Sequence, residues 1–160
     1  MRGKNFLAFA VSCLLAVAVL AQGSGDKKMM SSTKSAAAKA VVWPAADMKW
    51  EDAPDAPPGV KMVRLWGDST KGAFGALEKF PAGFSAPLHT HSAQLRSVVV
   101  SGTLIHGPEG KPEVRLGPGS YLVLPPGYRH TTACDKSSEC VFFMEGNGKF
   151  DIKMVEAPAK

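Results

Sequence analysis

From residue 41 onward, glycine and proline divide the chain into short apolar segments, and no stretch of useful length has the periodicity of a helix. The turns place glycine where a positive φ is inexpensive and proline where φ is already fixed. These turns lie at residues 81–83, 101–102, 107–108, 117–119 and 125–127. Such punctuation predicts an all-β fold of the sandwich or barrel type.

The segments between the turns have the apolar or alternating composition of strands. They are residues 61–65, 73–80, 95–100, 103–106, 113–116, 120–124, 131–134, 140–144 and 151–155. The number of strands suits one small barrel or jelly roll. About 120 residues remain after residue 40, which is enough for one core but not for two domains.

Residues 1–21 have the features of a secretory signal peptide. Arg2 and Lys4 precede an uncharged apolar run over residues 6–20, which is too short and too poorly flanked for a membrane span. Small residues follow, and we expect cleavage after Ala21. The alternative is a lipid anchor on Cys13, but the apolar run continues beyond that cysteine. The mature protein is therefore expected to be secreted or periplasmic, with no stable membrane span.

Two further segments precede the strands. Residues 22–40 are rich in Gly, Ser, Ala and Lys and are expected to form a flexible tether. Residues 41–59 contain four prolines, which favours an extended arm across the surface of the barrel, with Trp43 and Trp50 as packing anchors. The barrel itself is expected to cover residues 60–156.

Charge excludes one class of partner. The whole chain has a net charge of +5, but from Val41 onward 13 basic residues balance 13 acidic ones. The folded part therefore has no electrostatic footprint for nucleic acid. The lysines of the tether are expected to be solvated, although they are also able to contact an anionic membrane weakly.

Two cysteines remain after loss of the signal peptide. Five polar or charged residues separate Cys134 from Cys140. Export places them in a compartment where disulfides persist. We therefore expect an intramolecular disulfide across a hairpin.

Two histidines suggest a metal site. His89 and His91 are two residues apart, and on a strand they would point to the same face. This pair alone is weak evidence for a metal. A third histidine, His130, follows the turn at 125–127.

The spacing around these histidines resembles the two short motifs of the cupin superfamily of RmlC-like jelly rolls. Residues 83–102 follow G-x5-H-x-H-x3-E-x6-G except at the acidic position, and residues 119–130 follow G-x5-P-x-G-x2-H. Residues 65–68, together with Trp50 and residues 57–59, also resemble exported bacterial cupins of unassigned function. The resemblance covers roughly residues 60–150 and implies a single-domain jelly-roll barrel.

The resemblance also implies a site. By position, His89, His91 and His130 bind one divalent transition metal, and imidazole suits Fe, Mn, Ni, Cu and Zn alike. The expected acidic ligand is replaced by Leu95, which is expected to line the pocket. Its neighbour Gln94 is a candidate for weak or indirect coordination, provided that the strand bulges there.

Other side chains near the motifs are weaker candidates. Arg96 is a candidate for binding an anionic ligand, and Tyr121 and Tyr128 are candidates for donating a hydrogen bond in the pocket, although packing is the simpler role for both tyrosines. His106 follows an apolar pair and precedes Gly107–Pro108, which predicts a solvated turn residue.

Three functions stay open at this stage. The first is a metalloenzyme that acts on a small molecule, since dioxygenases with three-histidine iron centres resemble this site. The second is a binding or sensor cupin without catalysis, and the third is a structural module with a vestigial site. Exchangeable ligand positions on a bound metal favour the first function. A homodimer is the expected assembly for all three.

Overall fold

The computed structural model describes residues 39–156, so the predicted signal peptide and most of the predicted tether lie outside the described residues. The described part is nearly all β, with one short 3-10 helix at Ala45–Asp47. Its strands are β1 (Glu51–Asp52), β2 (Lys61–Gly67), β3 (Phe74–Phe80), β4 (Ser85–Thr90), β5 (Leu95–Ser101), β6 (Leu104–Pro108), β7 (Val114–Leu116), β8 (Tyr121–Leu124), β9 (His130–Cys134), β10 (Cys140–Gly146) and β11 (Lys153–Met154). Within this part, no helix has the length and apolar character needed to cross a membrane.

The strands form two antiparallel sheets. The six-stranded sheet has the order β1-β2-β3-β10-β5-β8, and the five-stranded sheet has the order β11-β4-β9-β6-β7. Consecutive strands often belong to opposite sheets, as in a jelly roll. The predicted all-β jelly-roll barrel is confirmed.

The core lies between the two sheets because alternate residues of each strand point inward. In β10, Cys140, Phe142 and Met144 are buried, whereas the residues between them are more exposed. In β5, Leu95, Ser97 and Val99 alternate with exposed neighbours in the same way. This alternation decides which side chains of each strand reach the interior.

Strand β4 was not predicted from the sequence, and neither was the two-residue strand β1. Strand β4 carries Pro87 and several small or polar residues, and its pattern lacks the apolar alternation on which the prediction of strands depends. It pairs with β9 and β11, so its neighbours rather than its own composition define it as a strand. This strand delivers the first of the three motif histidines.

The arm that precedes β2 is partly regular. It contains the 3-10 helix and β1, whose two residues pair with Met62 and Lys61. Trp50 is half-buried, and the Lys79 ammonium lies 4.6 Å from its ring centroid, which ties the arm to β3. Trp43 remains 42% exposed, so its predicted role as an anchor is not supported.

The disulfide is present, but its setting differs from the prediction. Cys134 ends β9 and Cys140 begins β10, with their Cα atoms 5.8 Å apart. Because β9 and β10 belong to different sheets, the bond does not cross a hairpin. It joins the two sheets at one end of the barrel instead.

Candidate metal centre and its cavity

The fold brings the three motif histidines together. His89 on β4 pairs directly with His130, the first residue of β9, and His91 follows immediately after β4. The N–H of Gly127 donates to the carbonyl of His91 at 2.8 Å, so the turn of the second motif is fixed to the first motif. One nitrogen from each ring lies within 4.8 Å of the corresponding nitrogens of the other two.

Backbone carbonyl groups orient all three rings. The Nδ1 atom of His89 lies 2.7 Å from the Pro87 oxygen, that of His91 lies 2.6 Å from the Asp151 oxygen, and that of His130 lies 3.0 Å from the Tyr128 oxygen. A carbonyl only accepts, so each Nδ1 carries the proton and each Nε2 keeps a free lone pair. Metal-binding histidines are oriented in this way by their surroundings.

The electrostatics favour neutral rings. Burial lowers the pKa of His91, and it lowers the pKa of His130 to about 4. The carbonyl hydrogen bonds oppose this shift, and the neighbouring histidines add to it. The Nε2 atom of His130 is buried and has no hydrogen-bond partner within residues 39–156. These donors fit a divalent transition metal, which binds neutral imidazole.

The histidines line a cavity of about 100 Å³ between the sheets. By the same measure one water needs ~10–15 Å³, so roughly seven to ten groups of that size fit inside. The wall is mostly apolar and includes side chains from the arm, the barrel strands and the C-terminal segment. Among these are Ala53, Pro54, Met62, Phe80, Leu95, Leu104, Leu122, Phe142, Phe150 and Ile152.

Leu95, which occupies the expected acidic position, and its neighbour Gln94 have different surroundings in the structure. Leu95 is 1% exposed and lines the cavity, so it contributes an apolar surface where related motifs place a carboxylate. Gln94 is not among the residues that line the cavity. With its amide oriented to satisfy both groups, its oxygen accepts from Arg96 Nη2 at 2.8 Å. The side chain of Gln94 therefore pairs with Arg96 rather than with the centre.

Arg96 and Tyr121 do not reach the cavity, contrary to prediction. Arg96 pairs with Glu145 on the outer face of the six-stranded sheet, with Nη1 and Oε1 3.1 Å apart. Tyr121 is 60% exposed and lies opposite Val98 on the same outer face. In both strands the inward positions are taken by their neighbours, because adjacent residues of a strand point to opposite faces.

Tyr128 and His106 form a packed pair behind the centre. Their rings stack with an interplanar angle of 17° and a centroid distance of 5.9 Å, and the His106 ring lies 5.3 Å from that of His130. The prediction of a solvated turn for His106 is wrong, because β6 continues to Pro108 and turns this residue inward. Tyr128 acts on the centre through its backbone carbonyl.

Sequence reasoning missed Glu78, which lines the cavity from β3. A signal was available. Phe74, Ala76 and Phe80 form the apolar face of the predicted strand, and Glu78 interrupts that face. A charged residue at an inward position of a strand indicates either an error in the pattern or a function.

The family can now be stated. The model of a family described as a domain of unknown function, DUF4437, matches residues 42–159. The chain belongs to the DUF4437 family. A search of curated protein sequences found no match.

Solved structures with a similar fold include an RmlC-like cupin and two enzymes. The polyketide cyclase RemF from Streptomyces resistomycificus is 16% identical, with 74% of this chain and 87% of that chain covered and a TM-score of 0.63. An RmlC-like cupin from Ralstonia eutropha is 19% identical, with 74% and 78% covered and a TM-score of 0.57. The DMSP lyase DddQ from Ruegeria pomeroyi is 20% identical, with 72% and 64% covered and a TM-score of 0.56. At these identities the similarity establishes the fold alone, and it confirms the cupin resemblance.

Proposed function

We propose that this DUF4437 protein is an exported cupin that holds one divalent transition metal through His89, His91 and His130. One observation carries the proposal. The three Nδ1 atoms are each engaged by a backbone carbonyl, so that the three Nε2 lone pairs remain available at the wall of one cavity. Three protein ligands leave coordination positions for a ligand, as in catalytic metal sites.

The cavity is suited to an enzyme acting on a small molecule. When bound, a divalent cation supplies positive charge that polarises an oxygen atom of the ligand. The chain itself supplies an apolar wall that excludes water and strengthens electrostatic interactions inside. RemF is a cyclase and DddQ is a lyase, so enzymes occur among proteins with this fold. A ligand-binding protein without turnover is the competing account.

Export rests on two supports. The predicted signal peptide precedes the barrel, and the disulfide between Cys134 and Cys140 is consistent with an oxidising compartment. Peptide sequencing of the mature N-terminus after expression with export tests the first support, and we expect it to begin at Gln22. A mature protein that retains Met1 would contradict export.

The metal proposal is tested by titrating metal-free protein with Zn²⁺ in a calorimeter. Wild type is expected to bind one equivalent, and His91→Ala is expected to lose this binding. Arg96→Ala is the control, because its side chain lies on the outer face. Equal binding by wild type and His91→Ala contradicts the proposal. Tight retention of a co-purified small molecule without turnover favours the binding protein.

A further inference from the structure

Glu78 faces the interior of the barrel from the middle of β3. Its direct neighbours across the ladder are Met62 on β2 and Phe142 on β10. All three residues line the same cavity as the histidines. The carboxyl group is not among the clustered ligand atoms, so it lies beyond the first layer around the centre.

The carboxyl group of Glu78 has neither a hydrogen-bond nor an ion-pair partner in the part of the chain that the structure describes. Among residues 39–156, no donor lies within hydrogen-bond distance of it, and no basic residue forms an ion pair with it. Apart from the three histidines, Glu78 is the only ionisable side chain of the described residues that lines the cavity. The other acid on the neighbouring β10 strand, Glu145, points outward and is paired with Arg96.

Such an environment is costly for a carboxylate. Part of the Glu78 surface is accessible, but the side chain lies among the apolar residues of the cavity. Burial raises its pKa to about 7. Comparable amounts of the acid and its carboxylate are then present near neutral pH, and this balance suits a general acid or base. A structural role would be served better by an apolar residue.

We propose that Glu78 is a catalytic acid–base residue, and that the cavity takes a small, uncharged, mostly apolar carbonyl compound with a C–H bond next to the carbonyl group. This inference rests on the proposed function, because a cation held by the three histidines would supply the positive charge that stabilises the carbonyl oxygen. The carboxylate of Glu78 accepts the proton as the C–H bond breaks. The electron pair moves to the carbonyl oxygen and gives an enolate. When the proton on Glu78 is replaced from solvent before the carboxyl group returns it to the same carbon, an exchange is complete. Delivery of the proton to another carbon of a conjugated enolate completes an isomerisation instead.

The lining of the cavity supports this substrate class. The space is small, and apart from Glu78 and the histidines its lining residues are apolar or carry only hydroxyl groups, as Ser69, Ser97 and Thr132 do. Within the described part of the chain, no lysine or arginine lines it, so it has no partner for an anionic ligand other than the centre. A permanently cationic ligand would instead keep the carboxyl ionised, which would prevent its use as an acid.

The test uses cyclohexanone as a probe in D₂O with Zn²⁺-loaded protein, and NMR follows the loss of its C–H signals next to the carbonyl. Wild type is expected to accelerate the exchange, and Glu78→Gln is expected to reduce the acceleration at least about a hundredfold. Glu78→Asp should retain part of it. The matched control, Glu145→Gln, removes an outward carboxylate on the neighbouring strand and should leave the rate unchanged.

Two further readouts separate this inference from the metal proposal. Calorimetry with Zn²⁺ should give the same stoichiometry for Glu78→Gln as for wild type, and failure of wild type to bind refutes the metal proposal instead. Titration of metal-free protein carrying ¹³C-labelled glutamate should show one carboxyl that titrates near neutral pH and is missing in Glu78→Gln. Exchange within twofold of wild type in Glu78→Gln overturns the inference. Cyclohexylammonium binding that depends on Glu78, without exchange, overturns it in favour of cation recognition.

Discussion

The polar groups on two opposing walls of the cavity differ in their hydrogen bonding. The histidine wall, formed by His89, His91 and His130, gives each ring a backbone carbonyl as partner. The carboxyl wall, formed by Met62, Glu78 and Phe142, gives the carboxyl group apolar neighbours and no hydrogen-bond partner among residues 39–156. The rings of the histidine wall are oriented before any ligand binds. The carboxyl wall instead holds a polar group in surroundings that reduce the stability of the folded protein.

The difference indicates how function is divided between the two sheets. Strands β4 and β9 of the five-stranded sheet orient the lone pairs of His89 and His130 toward the cavity, and the hydrogen bonds that do so also stabilise the fold. Strand β3 of the six-stranded sheet exposes one carboxyl group to the cavity without compensation. Residues that reduce stability in this way are typical of functional sites.

The largest effect is expected on the histidine wall. Replacing His130 by Ala removes one of three ligands and should weaken Zn²⁺ binding by more than about a hundredfold, which exceeds the usual cost of losing a group that only orients a ligand. Calorimetry measures the affinity, and circular dichroism checks that the barrel persists. Binding within tenfold of wild type would show that the three rings do not act as one centre.

On the carboxyl wall, the substitution Glu78→Gln should increase the stability of the folded protein. The folded-state pKa of Glu78 is about 7 and lies above its usual value, so between pH 4.5 and 7 the folded protein binds more protons than the unfolded one. Stability supplied by the protonated acid is therefore lost as pH rises through that window. Glu78→Gln should match wild type near pH 4 and exceed it at pH 8 by at most roughly 3 kcal/mol.

Urea unfolding of metal-free protein at several pH values measures this difference. The lowered pKa of His130 acts in the opposite direction, because stability from a neutral buried histidine is lost as pH falls from 6.5 toward 4. The two effects partly cancel in wild type, so Glu78→Gln should show the steeper acid loss. A constant difference between the two proteins at every pH would contradict the assigned state of Glu78.

The disulfide should have a smaller effect. It closes a short loop between residues 134 and 140, and for this length the chain-entropy model gives about 2 kcal/mol. The double variant Cys134→Ser/Cys140→Ser should lose this much stability in urea unfolding at pH 7 and should keep its Zn²⁺ affinity. Loss of metal binding in a folded double variant would show that the disulfide between the two sheets also positions the histidines.

The smallest effects are expected on the outer face. Tyr121→Ala should change unfolding free energy by no more than about 0.5 kcal/mol, because the side chain is 60% exposed. Metal affinity should be unchanged. A large loss of unfolding free energy or of metal affinity would indicate that Tyr121 lies in an interface with another chain. Light scattering would then detect a change in oligomeric state.

The sequence predicted the barrel and the histidine wall well because both depend on local pattern. Turn glycines and prolines predicted the separate strands, and the resemblance to the two cupin motifs implied that His89, His91 and His130 form one site. The residues that were misplaced depend on which face of a strand is inward. Arg96 and Tyr121 lie near the motifs in sequence but point outward, and His106 points inward because its strand is longer than predicted.

Glu78 is a second example of a residue whose surroundings could not be predicted from the local sequence pattern. Its position in an apolar strand pattern indicated an anomaly, but the sequence could not show that β3 lies across the cavity from the histidines. That relation arises from pairing between β3 and β10, which are separated by about 60 residues. Non-local pairing of this kind leaves no local sequence signal.

The central claim is that three imidazoles hold one metal ion while the carboxyl wall remains uncoordinated. Elemental analysis of protein purified from its native source, combined with X-ray absorption at the edge of the metal found, tests it directly. The account predicts one equivalent of a divalent transition metal with three imidazole nitrogen ligands, and an unchanged spectrum in Glu78→Gln. Protein without stoichiometric metal, or a centre with fewer than three imidazole ligands, would contradict it.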